Sequence, residues 1–337
     1  MVVFIHIHKG ETYIMKKSIY RIIATGLFCL GLPLAAYALD PALKPYTPVS
    51  GISGTLKSIG SDSMNNEMTL WAEGFLSFYP NVQVEIEGKG SGTAPPALVS
   101  GTAHFGPMSR PMKGKELDDF EKRYGYKPTE LNTSIDMLAV YVNKDNPIEC
   151  LTLQQVDAIF SKTRRGGHAE NIRTWGDLGL TGQFANLPIS LYGRNSASGT
   201  YGFFKDNALF GGDYKDEVKE QPGSSSVVQG VASELAGIGY SGIGYMTADV
   251  RAVPLATGPN AECFGAVADN AYTGNYPLAR FLMVYTNYEP GSTIDPLRRE
   301  FARYIFSRNG QEDVVRDGYF PITNVIAQEQ LKKLGIK

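Results

Sequence analysis

Between residues 55 and 310, short apolar runs suited to strands alternate with segments whose apolar residues recur at helical spacing. Such alternation builds α/β layers with mostly parallel pairing, because each helix carries the chain back to begin the next strand from the same side. Thr55 to Ile59 is a short strand feeding a helix from about Ser63 to Tyr79, whose Met64, Met68, Trp71, Phe75 and Phe78 form one apolar stripe. Pro80 stops that helix, and Val82 to Ile86 alternates as a strand does. A short helix carrying Pro95 follows, then a strand-like piece at His104-Phe105-Gly106 and a charged helix from Lys115 to Tyr124. Ile135 to Val142 is the longest strand-like run, and Thr152-Leu153-Gln154-Gln155 is a capping box opening a helix that ends near Phe160. Leu187 to Leu191 leads into a helix from Tyr201 to Leu209. Ser224 starts a helix that runs on to Leu235, and Phe281 to Tyr285 is a strand. Asp295 as N-cap, Pro296 after it and Gly310 beyond the end frame one C-terminal helix.

The first 38 residues stand outside this pattern. Lys16, Lys17 and Arg21 precede an apolar run from Ile22 to Leu34, and Ala36-Tyr37-Ala38 has the small-x-small form of a cleavage site, the layout of a secretory signal peptide. Met15 is the expected start, with residues 1–14 an over-extended gene start. The run falls short of the ~20 apolar residues a spanning helix needs, and Phe28 before Cys29 does not suit a lipoprotein. A soluble periplasmic or secreted chain beginning at Leu39 is expected. Its 299 of 337 residues suffice for two lobes. With 28 basic and 33 acidic residues its net charge is −5, which argues against nucleic acid and requires local groups to attract any anion. Cys150 and Cys263 remain as a possible disulfide in an oxidising compartment, two buried thiols being the alternative. His104 and His168 lie far apart, and no spacing suggests a metal or other cofactor.

Four strand-to-helix turns share one chemistry: Gly60-Ser61-Asp62-Ser63, Gly88-Lys89-Gly90-Ser91-Gly92-Thr93, Ser109-Arg110, and Arg194-Asn195-Ser196-Ala197-Ser198-Gly199-Thr200. Any one of them could be a helix cap, since Ser, Thr and Asp are favoured there. Together they describe an anion cradle. Helix N-termini offer unpaired N–H groups, hydroxyls add donors, and arginine supplies a planar fork matched to an oxyanion. In open α/β sheets ligands sit at the carboxyl ends of strands, where such turns lie. Two other motifs are rejected. Gly237-Ile238-Gly239-Tyr240-Ser241-Gly242 has the dinucleotide-binding spacing, but a helix precedes it and the apolar run Ile243–Met246 follows, so it is expected to be a helix-to-strand connection. Ser198 has Ser196, not glycine, two places before it, so it is no nucleophile elbow.

Assembled, these turns resemble the loops of the periplasmic phosphate-binding proteins of high-affinity phosphate ABC transporters, over about residues 54–322. Arg194 to Thr200 matches the family's Arg-x-x-x-Ser-Gly-Thr loop, Gly90-Ser91-Gly92 its second turn and Ser61-Asp62-Ser63-Met64 its first. The resemblance implies an α/β, two-lobed (type II) binding protein in which each lobe is a mostly parallel sheet flanked by helices. The implied layout is 39–137 for the first part of lobe 1, 138–276 for lobe 2 and 277–337 returning to lobe 1, with crossovers near Ile135–Val142 and Tyr276–Tyr285. It implies a monomer that closes over inorganic phosphate, performs no catalysis and delivers the anion to an inner-membrane ABC permease. The implied phosphate ligands are Ser61, Asp62, Ser63, Met64, Ser91, Gly92, Ser109, Arg110, Arg194, Ser198, Gly199 and Thr200. One position departs from the family. Some members carry, after the serine matching Ser109, an aspartate that accepts the proton of hydrogen phosphate, whereas this chain has Arg110. Asp62 is the expected substitute acceptor, or else an N-cap, and Asp136 is the next candidate. Sulfate or molybdate binding, a phosphatase on the same scaffold and an adhesive role are the competing readings.

Overall fold

The computed structural model describes residues 39–336, so the expected leader and its cleavage point at Ala38 lie outside the described residues. The chain opens with β1 (Gly54–Ile59), α1 (Asn65–Phe78), β2 (Val82–Glu87), α2 (Ala94–Val99), β3 (Phe105–Met108) and α3 (Gly114–Tyr124). Then come β4 (Thr129–Asn143), β5 (Leu151–Thr152), α4 (Leu153–Phe160), β6 (Ser190–Arg194) and α5 (Gly199–Asn207). β7 (Lys219–Gln221), α6 (Ser224–Ser233), β8 (Gly237–Gly242), β9 (Val250–Ala252), β10 (Leu255–Ala256) and α7 (Ala268–Tyr272) follow. β11 (Ala279–Thr286), α8 (Pro296–Ile305), α9 (Arg308–Arg316), β12 (Phe320–Pro321) and α10 (Asn324–Lys333) complete it.

The strand order β2-β1-β3-β11-β4-β8-β6-β7 explains the architecture. At one end β2, β1 and β3 run parallel, and at the other β8, β6 and β7 do so. β4 joins the two: its first part pairs antiparallel with β11 as far as Met137↔Ala279, and its second part pairs with β8 from Leu138↔Gly242. One strand therefore serves both ends and changes partner between residues 137 and 138. From Thr133 to Asn143 every residue of β4 is buried, which accounts for its near-continuous apolar sequence. This is a two-lobed α/β architecture. Helix stripes close the cores: Met64, Met68, Trp71 and Phe75 are fully buried, and the Trp71 indole N–H donates to the Gly310 carbonyl at 2.8 Å.

Two expectations change. Gly237–Gly242 is itself a strand, β8, and Ile243–Tyr245 is a tight 3-10 turn. Its glycines hide the strand pattern because α6 lies directly on its backbone. A Cβ on Gly239 would stand 2.8 Å from a Val227 methyl. The C-terminal helix is two helices, with Ser307 capping the second through the Gly310 N–H at 3.3 Å. Gly310 lies inside α9, where a Cβ would overlap the Tyr304 carbonyl. Cys150 and Cys263 are joined in a disulfide with Cα atoms 6.2 Å apart, beside the β5–β10 pair. Closing a loop across a sequence separation of 113 residues is worth about 5 kcal/mol in the chain-entropy account.

Candidate anion-binding site

The turns after β1, β2, β3 and β6 meet near the point where β4 changes partner. The Ser61 hydroxyl donates to Ser109 Oγ at 3.1 Å. Ser91 Oγ accepts the Ser109 N–H at 3.0 Å and lies 3.2 Å from Ser109 Oγ. Ser63 Oγ and Thr200 Oγ1 are 2.8 Å apart, and Thr200 reaches Ser109 Oγ at 3.4 Å. Five hydroxyls thus form one connected group, none more than 1% exposed. They belong to remote parts of the sequence, and α5 meets them with its first residue. A Cβ on Gly199 would overlap Ser91 Oγ and stand 2.7 Å from Ser109 Oγ, so only glycine lets that helix N-terminus touch the hydroxyls. Ser198 caps the helix by accepting the Tyr201 N–H at 3.4 Å, and the Gly92 N–H donates to the Ala197 carbonyl at 2.9 Å. Met64 sends its side chain into the core, and its N–H donates to the Ser61 carbonyl.

Arg194 ends β6 and is 1% exposed. Its Nη1 donates to Ser224 Oγ at 2.7 Å and pairs with Asp62 Oδ1 at 2.9 Å, while Nη2 donates to the Pro222 carbonyl at 3.1 Å. Its Nε–H is buried without a protein partner. Burial pulls the guanidinium below its ordinary pKa, and the Asp62 charge opposes that. Asp62 does not cap α1. Its Oδ1 accepts the Ser224 N–H at 2.7 Å and hydroxyl at 2.8 Å, so it caps α6 from across the site. Its Oδ2 faces Gly223, where a Cβ would stand 3.2 Å away.

Arg110, expected to supply a second guanidinium, is engaged elsewhere. It forks onto both oxygens of Glu116 at 2.8 and 2.7 Å and also donates to the Pro111 carbonyl. The guanidinium at the hydroxyls is that of Arg280, which the sequence analysis did not single out. Its Nη2 donates to Thr200 Oγ1 at 2.9 Å, its Nη1 to the Ser109 carbonyl at 2.7 Å, and its Nε and Nη2 to Asp136 Oδ2 at 2.9 and 2.8 Å. Asp136 Oδ1 accepts the Ile243 N–H at 3.0 Å, so both its oxygens are engaged. The available signal was one arginine heading the apolar run Phe281–Tyr285, since a charge entering a buried strand requires a partner. Two Arg–Asp pairs therefore flank a buried group of hydroxyls and amides. That donor-rich arrangement suits a compact oxyanion. Among the described residues no His/Cys/Asp/Glu group could hold a metal, and no helix is long and apolar enough to cross a membrane.

A family model described as a PBP superfamily domain matches residues 47–309. The chain is 53% identical over 307 residues to the phosphate-binding protein PstS of Pseudomonas aeruginosa, covering 91% of this chain and 95% of that protein. It is 27% identical over 275 residues to the phosphate-binding protein PstS of Bacillus subtilis, covering 81% of this chain and 82% of that one. The solved structure of an ABC-type phosphate transport receptor from Vibrio cholerae superposes with a TM-score of 0.61 at 22% identity, over 80% of this chain and all of that one, a likeness of fold. By domain and by relatives, the chain belongs to the PBP superfamily and, within it, to the family of phosphate-binding proteins.

Proposed function

We propose that this protein captures inorganic phosphate outside the cytoplasmic membrane and hands it to an ABC permease. One observation carries the reading: five buried hydroxyls from four turns converge under the N-terminus of α5, with the buried Arg194 and its unpartnered Nε–H close by. The ligand set is Ser61, Ser63, Ser91, Ser109, Ser198 and Thr200, the amide of Gly199, Arg194, and Asp62 as proton acceptor, with Met64 and Gly92 shaping the turns through amides that donate to the Ser61 and Ala197 carbonyls. Arg110 is left out of the set, because its guanidinium is held by Glu116. Lobe 1 comprises 39–137 and 277–337 and lobe 2 comprises 138–276, a division supported by the change of β4 partners at residue 138. Export with cleavage after Ala38 supplies the compartment, and the disulfide suits it.

The protein is a binder, not a catalyst. A hydrolase would need a base on one of the serines. His104 Nδ1 instead accepts the Lys57 N–H at 2.9 Å, and His168 Nδ1 sits 2.8 Å from the Glu170 carbonyl.

Calorimetric titration of the exported protein with phosphate, sulfate and arsenate tests this, together with turnover of a generic phosphoester. Phosphate should bind at micromolar concentration or below, a free energy of about 8 kcal/mol or more. Arg194→Ala should lose ~2–5 kcal/mol of it. Absence of phosphate binding, or phosphoester turnover, overturns the reading.

A further inference from the structure

Arg280 and Asp136 are direct cross-strand partners on β11 and β4, the two strands that pass between the ends of the molecule. Their side chains are 3% and 0% exposed. From that joint Arg280 reaches two turns of separate origin: the carbonyl of Ser109 after β3 and the hydroxyl of Thr200 in the first turn of α5. Phe203, one turn further along α5, lies under the guanidinium with its ring centroid 5.0 Å from Cζ. Asp136 takes two of the guanidinium N–H groups and fixes the plane in which the others point. Asp136 is itself held by the Ile243 N–H just beyond β8.

The consequence lies in one proton. A threonine hydroxyl has one donor and two acceptor directions. The Arg280 Nη2–H occupies an acceptor direction of Thr200 Oγ1, so the remaining O–H is turned toward the Ser63 and Ser109 hydroxyls at the centre of the site. Ser91 is treated alike, since the Ser109 N–H occupies one of its acceptor directions. Resting on the phosphate reading above, we propose that Arg280, aimed by Asp136, is a positioning residue that commits the Thr200 hydroxyl as a donor to the anion.

The role predicts a specific coupling. Because removing only Arg280 would strand a buried carboxylate, the test substitutes the pair, Asp136→Asn with Arg280→Gln. Phosphate affinity is measured by calorimetry with and without Thr200→Val. The paired substitution should weaken phosphate binding about 10- to 100-fold when Thr200 is present. In the Thr200→Val background, with no hydroxyl left to orient, the same substitution should change affinity by no more than about 3-fold. A merely structural role would produce equal losses in both backgrounds, and that result overturns the inference while phosphate binding by the unmodified protein keeps the functional reading. Failure of the unmodified protein to bind phosphate removes both. Should the paired variant not give a cooperative thermal transition, Arg280→Lys measured in the same two backgrounds takes its place. It retains the charge, loses the fork, and carries the same expectation of non-additivity.

Discussion

Asp62 holds two assignments that its two oxygens separate. Oδ1 is engaged by Arg194 and by two donors of Ser224, whereas Oδ2 takes no part in those bonds and, on the proposed function, is the oxygen left to meet a ligand proton. Hydrogen phosphate brings such a proton and sulfate does not. A site built around that hydrogen bond can reject the analogue lacking it by ~10⁴-fold. Asp62→Asn puts a donor where the acceptor stood, so the phosphate–sulfate gap should narrow even as both anions bind more weakly. Competition titration decides it: an unchanged ratio assigns Asp62 only to holding Arg194 and α6, and leaves Asp136, whose Oδ1 accepts only the Ile243 N–H, as the next acceptor to test. At this scale the sequence was legible where the chemistry is local. Ser, Gly and Thr at strand-to-helix turns mark anion seats by backbone logic alone. The distant partners were not, because Ser224 for Asp62 and Thr200 for Arg280 are set by register that no spacing encodes, whereas Glu116 lies only six residues beyond Arg110.

Among the elements, α1 carries both a readable stripe and a feature invisible beforehand. Behind the first site turn, Glu67 of α1 is fully buried with neither carboxyl oxygen hydrogen-bonded, and Asp317 follows α9. Burial first, then the Asp136 charge, pushes Asp317 up to about 7 from 3.8. Burial first, then the Asp317 charge, pushes Glu67 well above its ordinary range. The sign is opposite to that of a salt-bridged carboxylate. Between pH ~4 and ~7 the folded protein retains a proton on Asp317 that the unfolded chain releases, so stability falls as pH rises through that window. Asp317→Asn should therefore melt with wild-type at pH 4 and above it at pH 8, by at most about 4 kcal/mol in stability. Urea denaturation at the two pH values measures this, and a gap that does not widen with pH rules out an ionisation cost there. The element pattern itself was mostly readable because 3.6- and 2-residue periods report burial. It failed at β8, where glycines packed under α6 leave no alternation, and at Ser307, where a cap divides one apparent helix into two.

For the whole molecule, the question is what closes the two lobes and what keeps them apart. Bonds that cross between 39–137 and 138–276 gather at the site: Asp62 with Arg194 and Ser224, Ser63 with Thr200, the Gly92 N–H with the Ala197 carbonyl, and the Tyr245 hydroxyl with the Asp62 carbonyl. On the proposed function, an anion held there accepts from donors on both sides and draws the hinge shut. Gly199 sets the tolerance of that approach. A methyl at this position would meet Ser91 and Ser109 Oγ, both in the 39–137 segment proposed as part of lobe 1, while alanine in the first turn of α5 imposes no backbone penalty. Gly199→Ala is thus a wedge one methyl thick that leaves each lobe intact. Small-angle scattering should show the wild-type protein contracting on phosphate addition toward the ~19 Å radius of gyration of a compact chain of this length. The variant should stay expanded, with weakened phosphate binding and an undiminished melting temperature in phosphate-free buffer. If Gly199→Ala contracts and binds as wild-type does, close approach of α5 to the serine turns is not what limits closure, and the hinge strands must set the closed angle.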